Sequence, residues 1–277
     1  MKTRVITGIF LFSLIFVPTV LFMDTIFLPI VCSILCLVGV HEMLSCIGRD
    51  KHILTAIPTY IVALVSPIAA SFLDWRELFL PSAIAVVVVS IMYTLTLSIF
   101  LPDKYNSGDT AQAFLLCTYI IAGFTSIELI SVIPNAKFIF PMIYIGAFIT
   151  DTFCYFSGML FGKHKLIPRI SPKKTIEGAI GGTLVCILAF IAYGAIVSKF
   201  TELNADYLAL AITGLILAIV SQIGDLVASA VKRNYGIKDY GKLFPGHGGV
   251  MDRFDSLIAV SMLLAIIGTQ MNISLFS

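Results

Sequence analysis

The chain has 277 residues, of which 58% are hydrophobic and only 12% charged, with a mean hydropathy of +1.01. A soluble domain carries about 25% charged residues, so this balance excludes an ordinary water-soluble fold and points to an all-α, polytopic bundle of membrane helices. The net charge of +2 gives no basis for a nucleic-acid partner.

Apolar stretches long enough to cross about 30 Å of hydrocarbon at about 1.5 Å per residue fall at 5–23, 25–46, 53–72, 78–100, 111–133, 138–161, 179–198, 207–226 and 254–275. They predict about nine transmembrane helices. Lys2 and Arg4 precede the first, and no small-residue cleavage site follows it, so it is read as a retained span. With the N-terminus cytoplasmic, only Arg76, Lys137 and Lys199 of the 18 basic residues fall on the opposite face, which fits retention of Lys and Arg inside. The two richest cytoplasmic loops, 162–178 and 227–253, lie in the C-terminal part. The chain therefore divides into N-terminal transmembrane helices of unassigned role, 1–135, and a C-terminal catalytic region, 136–277. The six cysteines are scattered through apolar stretches without C-x-x-C spacing and read as small core residues.

In chain order, the first apparent motif fails: His41-Glu42 begins like H-E-x-x-H, but the fifth residue is Ser45. On the sixth span Asp151 sits about 21 Å into the helix, a depth at which an ionisable group is costly and usually functional. Gly158-x-x-x-Gly162 reads as a helix-packing face. The loop that follows carries Lys163-His164-Lys165 and then Ser171, Lys173, Lys174, Thr175 and Glu177 before Gly181-Gly182. Cations, hydroxyls and a helix N-terminus in so short a run suit a triphosphate; a plain positive-inside loop is the alternative.

The eighth span reaches Asp225 about 27 Å from its start. Gln222, Asp225, Ser229 and Lys232 share one face if the helix continues beyond the bilayer. The run 236–249, rich in glycine, then offers backbone N–H groups to phosphate, with Lys238, Asp239, His247, Gly248 and Gly249 as candidates. It leads into Asp252-Arg253-Phe254-Asp255. Helix capping explains one acidic residue there, not two with an arginine. Asp225, Asp252 and Asp255 converging from two helix ends would make a hard oxygen site suited to Mg²⁺.

The run Ser229-Ala-Val-Lys-Arg-Asn-Tyr-Gly-Ile-Lys-Asp-Tyr-Gly-Lys-Leu-Phe-Pro-Gly-His-Gly-Gly-Val-Met-Asp-Arg-Phe-Asp255 resembles the signature of the phosphatidate cytidylyltransferases, or CDP-diacylglycerol synthases. The segment from Asp151 to Gly182 is similar to that family's upstream nucleotide-side region, with Cys154 departing from an expected alanine. The resemblance implies an integral membrane homodimer that uses CTP, phosphatidic acid and Mg²⁺, with a second, monovalent cation such as K⁺. It implies that Asp225 and Asp252 hold metal, with Asp255 close by. On that basis Lys173, Lys174, Lys232, Arg233, Lys238 and Arg253 are expected to meet phosphate, His247 to donate to a phosphate oxygen or act as an acid, and Asp239 and Glu177 to orient the cations. The expected reaction is attack by the lipid phosphate on the α-phosphorus of CTP at a multi-pass membrane site facing the cytoplasm. Alternatives are a CTP-dependent polyprenol kinase, a CDP-archaeol synthase and, outside enzymes, a transporter, whose carboxylates tend to lie near the bilayer midplane on broken helices.

Overall fold

A computed structural model describes residues 17–244, 246, 248–270 and 275–276. The first expected span lies outside the described residues up to residue 16, and its end forms a short helix, α1 (Val17–Leu21). The chain continues through α2 (Phe27–Cys46), α3 (Ile53–Phe72), α4 (Leu80–Phe100), α5 (Ser107–Ser131), α6 (Ala136–Tyr144), α7 (Thr150–Phe161), β1 (Lys165–Ile167), β2 (Ser171–Thr175), α8 (Ile176–Phe200), α9 (Tyr207–Asn234) and α10 (Met251–Gln270). Among the described residues seven helices are long and apolar enough to cross a membrane: Phe27–Cys46, Ile53–Phe72, Glu77–Phe100, Ser107–Ser131, Ala136–Phe161, Ile176–Phe200 and Tyr207–Asn234. These coincide with the expected spans from the second to the eighth. The ninth expected span overlaps α10, which starts three residues earlier at Met251 and is not among those seven.

Why these segments stand as helices side by side follows from their solvent. In hydrocarbon every backbone N–H and C=O needs a partner within the segment, which a helix provides. α4 keeps only Leu97 buried and turns its valines and isoleucines outward. α10 is the opposite case: Leu257, Ile258, Val260 and Leu264 are almost wholly enclosed, packed between α5 and α9. The contact with α5 is close because Gly123 lies under Ile258, and Ser261 Oγ donates to the Gly123 carbonyl at 3.0 Å.

α6 and α7 form one continuous rod joined by a wide π-helical turn, Ile145–Ile149. Such a turn holds one more residue than an α-helical turn and rotates everything after it by about 100° relative to a straight helix. Asp151, in the first turn of α7, faces α10, where Ser256 Oγ donates to its Oδ2 at 3.0 Å.

The expected all-α architecture carries one addition. β1 and β2 pair antiparallel, with Lys165 opposite Thr175 and Ile167 opposite Ser171. Pro168 sets the turn between them, closed by the Ile170 N–H donating to the Ile167 carbonyl at 3.1 Å. Thr175 ends the hairpin and caps α8 by accepting from Gly178 N at 3.1 Å. α7 and α8 then pack through glycines: a Cβ at Gly158 would meet Thr175 Oγ1 at 2.8 Å, and one at Gly182 the Thr150 carbonyl at 2.8 Å. The expected packing role of Gly158 is therefore what the structure displays. The cysteines are all free, with Cys32, Cys36, Cys117 and Cys186 buried.

One helix contact fixes where the acidic groups of α9 and α10 stand. A Cβ on Gly224 would stand 2.7 Å from Ala259 Cβ and 2.9 Å from the Asp255 carbonyl, so α9 and α10 touch almost backbone to backbone beside Asp225 and Asp255. Gly224→Ala is expected to force the two helices apart at a cost of about 1–3 kcal/mol. A lowered thermal midpoint in detergent checks this; an unchanged midpoint would mean that the contact relaxes freely.

Candidate active site

α9 runs past the predicted end of its span to Asn234, so Gln222, Asp225, Ser229 and Lys232 do lie on one helix. Their engagements diverge. Gln222 turns to α8, its Nε2 donating to Thr183 Oγ1 at 3.0 Å. Asp225 forms an ion pair with Lys174 of β2. Lys232 Nζ reaches across to Asp252 Oδ1 at 2.8 Å, with the two side chains 12% and 3% exposed.

Asp252 is the most heavily engaged carboxylate of the group. Besides Lys232 it accepts from Tyr240 N at 2.7 Å and from Gly249 N at 3.0 Å, both at Oδ2. Tyr240 is itself locked: its hydroxyl donates to the Ala228 carbonyl at 2.8 Å and Lys232 Nζ lies 5.3 Å from the centre of its ring. Burial pushes the Tyr240 hydroxyl well up, so it stays protonated and a donor at any physiological pH. A carboxylate has about four lone-pair positions, so three bonds leave Asp252 one further position.

The glycine-rich loop serves this network. The reading from sequence gave its N–H groups to phosphate; the structure gives those of Tyr240, Gly249, Val250 and Met251 to two protein carboxylates, Asp252 and Glu42. Gly248 donates to the Phe244 carbonyl at 3.1 Å and accepts from Phe244 N at 2.9 Å, closing the loop in which His247 lies outside the described residues. Gly248 has a φ of +87°, and a Cβ there would stand 2.6 Å from Asp252 Oδ2. Backbone conformation and carboxylate together demand glycine.

The remaining candidates divide into those that organise the protein and those that face outward. Glu177 accepts from Lys163 N at 3.1 Å and His164 Nδ1 at 2.6 Å, so it ties the start of the loop to α8. Arg233 Nε donates to the Ile170 carbonyl at 3.4 Å, joining the tip of the hairpin to the end of α9. Ser171 and Ser229 are half-buried. Lys173, Lys238, Asp239 and Arg253 are exposed. Lys173 is exposed, whereas its neighbour Lys174 is half-buried against Asp225.

Asp151, Asp225 and Asp255, from α7, α9 and α10, lie close enough for their charges to act on one another. All are hard oxygen donors, as Mg²⁺ requires. Among the described residues no three His, Cys, Asp or Glu side chains already stand in a metal-holding arrangement. Lys174 supplies the positive charge at Asp225. Asp225 and Asp255 flank the Gly224 contact and offer the hard oxygen donors a divalent ion takes, whereas Asp252, at the start of α10, is turned to Lys232 and the loop amides.

Sequence reasoning passed over Glu42, Tyr240 and Ser256. Glu42 carried a usable signal, since a carboxylate inside a predicted span is a functional candidate on energetic grounds alone.

Comparison with known proteins gives the family. A model of the cytidylyltransferase family matches residues 2–270. The chain belongs to that family. It is 33% identical over 272 residues to a phosphatidate cytidylyltransferase of Staphylococcus haemolyticus, an alignment covering 98% of this chain and all of the relative. Proteins of the same name from Staphylococcus epidermidis and Staphylococcus aureus are 33% identical over 274 and 279 residues, again covering 98% of this chain and all of each relative. The cytidylyltransferase match thus spans the N-terminal helices as well as the motif-bearing C-terminal part.

The buried pair at the centre of the site makes a stability prediction. Removing one partner of such a pair costs about 3–5 kcal/mol, because the other charge is left uncompensated. Lys232→Ala and Asp252→Ala are each expected to lower the denaturation midpoint of the purified protein, and the double variant to lose less than the two combined. Strict additivity in that cycle would show that the two side chains do not stabilise one another.

Proposed function

We propose that the protein is a phosphatidate cytidylyltransferase that joins the CMP moiety of CTP to phosphatidic acid, releasing pyrophosphate and giving CDP-diacylglycerol. One observation supports this reading above the rest. Lys174 of the hairpin meets Asp225 of α9, and Lys232 of α9 meets Asp252 of α10, which links the cation-rich hairpin to both acidic helix ends. A transporter, the non-enzyme alternative, offers no reason for that pairing beside a cytidylyltransferase match over residues 2–270.

In the proposed reaction a phosphate oxygen of the lipid attacks the α-phosphorus of CTP. A new P–O bond forms, the bond to the β-phosphate breaks, and its electrons leave with pyrophosphate. A phosphate monoester is largely ionised near neutral pH, so no strong base is needed. The difficulty is to bring two anions together and to neutralise charge on the leaving group. Lys173, exposed on β2, together with Lys238 and Arg253, is placed to receive phosphate oxygens from water. Lys174 and Lys232 hold the carboxylates in position and keep the anionic site close to neutral before substrate arrives. Mg²⁺, held by Asp225, Asp252 and Asp255, would supply Lewis-acid neutralisation of the phosphate oxygens. Asp151, fixed by Ser256, lies within electrostatic reach of Asp225 and Asp255. His247 is proposed as a donor to phosphate.

The basic loops 162–178 and 227–253 support a site open to the cytoplasm with the N-terminus on the same side. A homodimer and a second, monovalent cation belong to the same proposal.

The decisive assay uses purified protein, phosphatidic acid, Mg²⁺ and CTP labelled at the α-phosphate, with K⁺ present or omitted. Label is expected in the lipid together with unlabelled pyrophosphate; label in released CDP would instead establish a γ-phosphate kinase acting on a lipid alcohol, and archaeal ether-lipid phosphate as the preferred acceptor would reassign the substrate. Lys173→Ala is expected to raise the KM for CTP with little change for the lipid. Mg²⁺ at 100 times its Kd should stabilise the wild type by about 2.7 kcal/mol and Asp225→Asn far less; equal shifts in both would remove Asp225 from the metal assignment.

A further inference from the structure

Glu42 lies on α2, in the N-terminal helices that carry no assigned chemistry, yet it is buried to 6% exposure against the glycine-rich loop. Its Oε1 accepts from Val250 N at 3.0 Å and its Oε2 from Met251 N at 2.9 Å. A carboxylate across the first amides of α10 satisfies donors that a helix leaves free at its start and matches the positive end of the helix dipole. Two glycines make room for it: a Cβ on either Gly241 or Gly249 would run into the Glu42 carboxylate. Neither glycine has a positive φ, so close approach, not backbone conformation, is what excludes a side chain there.

The loop and Asp252 are held at successive points. Gly249 N is bonded to Asp252, and the next two amides, Val250 and Met251, to Glu42. Displacing Glu42 frees the segment that orients Asp252 toward Lys232. We infer that Glu42 is a positioning residue for cytidylyl transfer, a clamp by which the N-terminal helices hold the first turn of α10 and the glycine-rich loop in their working arrangement. This rests on the function proposed above and adds to it a residue outside the signature run.

The test compares Glu42→Gln with the wild type in detergent or nanodiscs. Glutamine keeps the size of the side chain but turns an amide NH₂ toward one of the two backbone donors. The expected result is a fall in kcat of about ten- to hundredfold, the scale of one buried donor left unpaired, with the KM for the lipid unchanged. Hydrogen–deuterium exchange in peptides covering residues 241–252, read without substrate, should accelerate. Full activity in Glu42→Gln would overturn the inference, and so would a loss of activity with exchange in that segment unaltered. Gly241→Ala, which pushes on the carboxylate from the other side, is expected to act in the same direction and to add nothing in a Glu42→Ala background; additive effects would contradict the clamp. Because exchange is read without substrate, a wild type that transfers no cytidylyl group would refute the activity, while faster exchange in Glu42→Gln would still support Glu42 as the organiser of this loop.

Discussion

A single carboxylate, that of Asp252, holds the C-terminal machinery together. At 3% exposure it would be very costly if left alone. It is tolerated because an ammonium from α9 and two amides from the glycine-rich loop converge on it. The consequence reaches well beyond the pair. Lys232 is the last part of a face that begins at Gln222, so fixing Lys232 fixes the rotation of α9 and with it Asp225. Tyr240 is fixed both by its amide on Asp252 and by its hydroxyl on Ala228 of α9. The loop is thereby fastened to the helix it follows.

Around that centre the structure works by close approach. α9 meets α10 at Gly224, α7 meets α8 at Gly158 and Gly182, and α5 meets α10 at Gly123. In a membrane there is little hydrophobic gain from bringing helices together, so short-range packing and interhelical hydrogen bonds carry the association. Small residues at these crossings allow both, and the acidic side chains of three helices end up within electrostatic reach of one another. The wide turn at Ile145–Ile149 completes the set by rotating Asp151 toward Ser256.

Much of this was legible in the sequence. Hydropathy located the spans from the second to the eighth, because a bilayer of fixed thickness leaves a simple imprint on chain composition. The spacing of Asp225, Ser229 and Lys232 gave a shared helix face, and the signature run pointed to the family that the comparisons establish. What the sequence did not show was which partner each charged group would take. Lys174 and Lys173 are neighbours of the same chemistry, yet one pairs with Asp225 and the other faces water. The glycines near residue 248 read as a cradle for phosphate because backbone donors are generic; in the folded chain two carboxylates are already lodged there. Glu42 lay far from the motif and beside a histidine that suggested a false metal signature, so its partners at Val250 and Met251, separated from it by most of the chain, were invisible to local pattern.

The hairpin between α7 and α8 has a consequence for how this segment can change over time. Its two lysines lie where the pairing is irregular, with Pro172, Lys173 and Lys174 of β2 standing between paired positions opposite the single Leu166 of β1, and only Lys174 of the two turns to Asp225. Losing or gaining one residue between Ile167 and Lys173 would remake that irregularity and change which side chain reaches Asp225, while leaving length, charge and composition almost untouched. The tight Pro168 turn and the Thr175 cap pin both ends of β2 against such slippage. Tolerance of this stretch should therefore be narrow for insertions and deletions and broad for changes of side chain at its exposed positions.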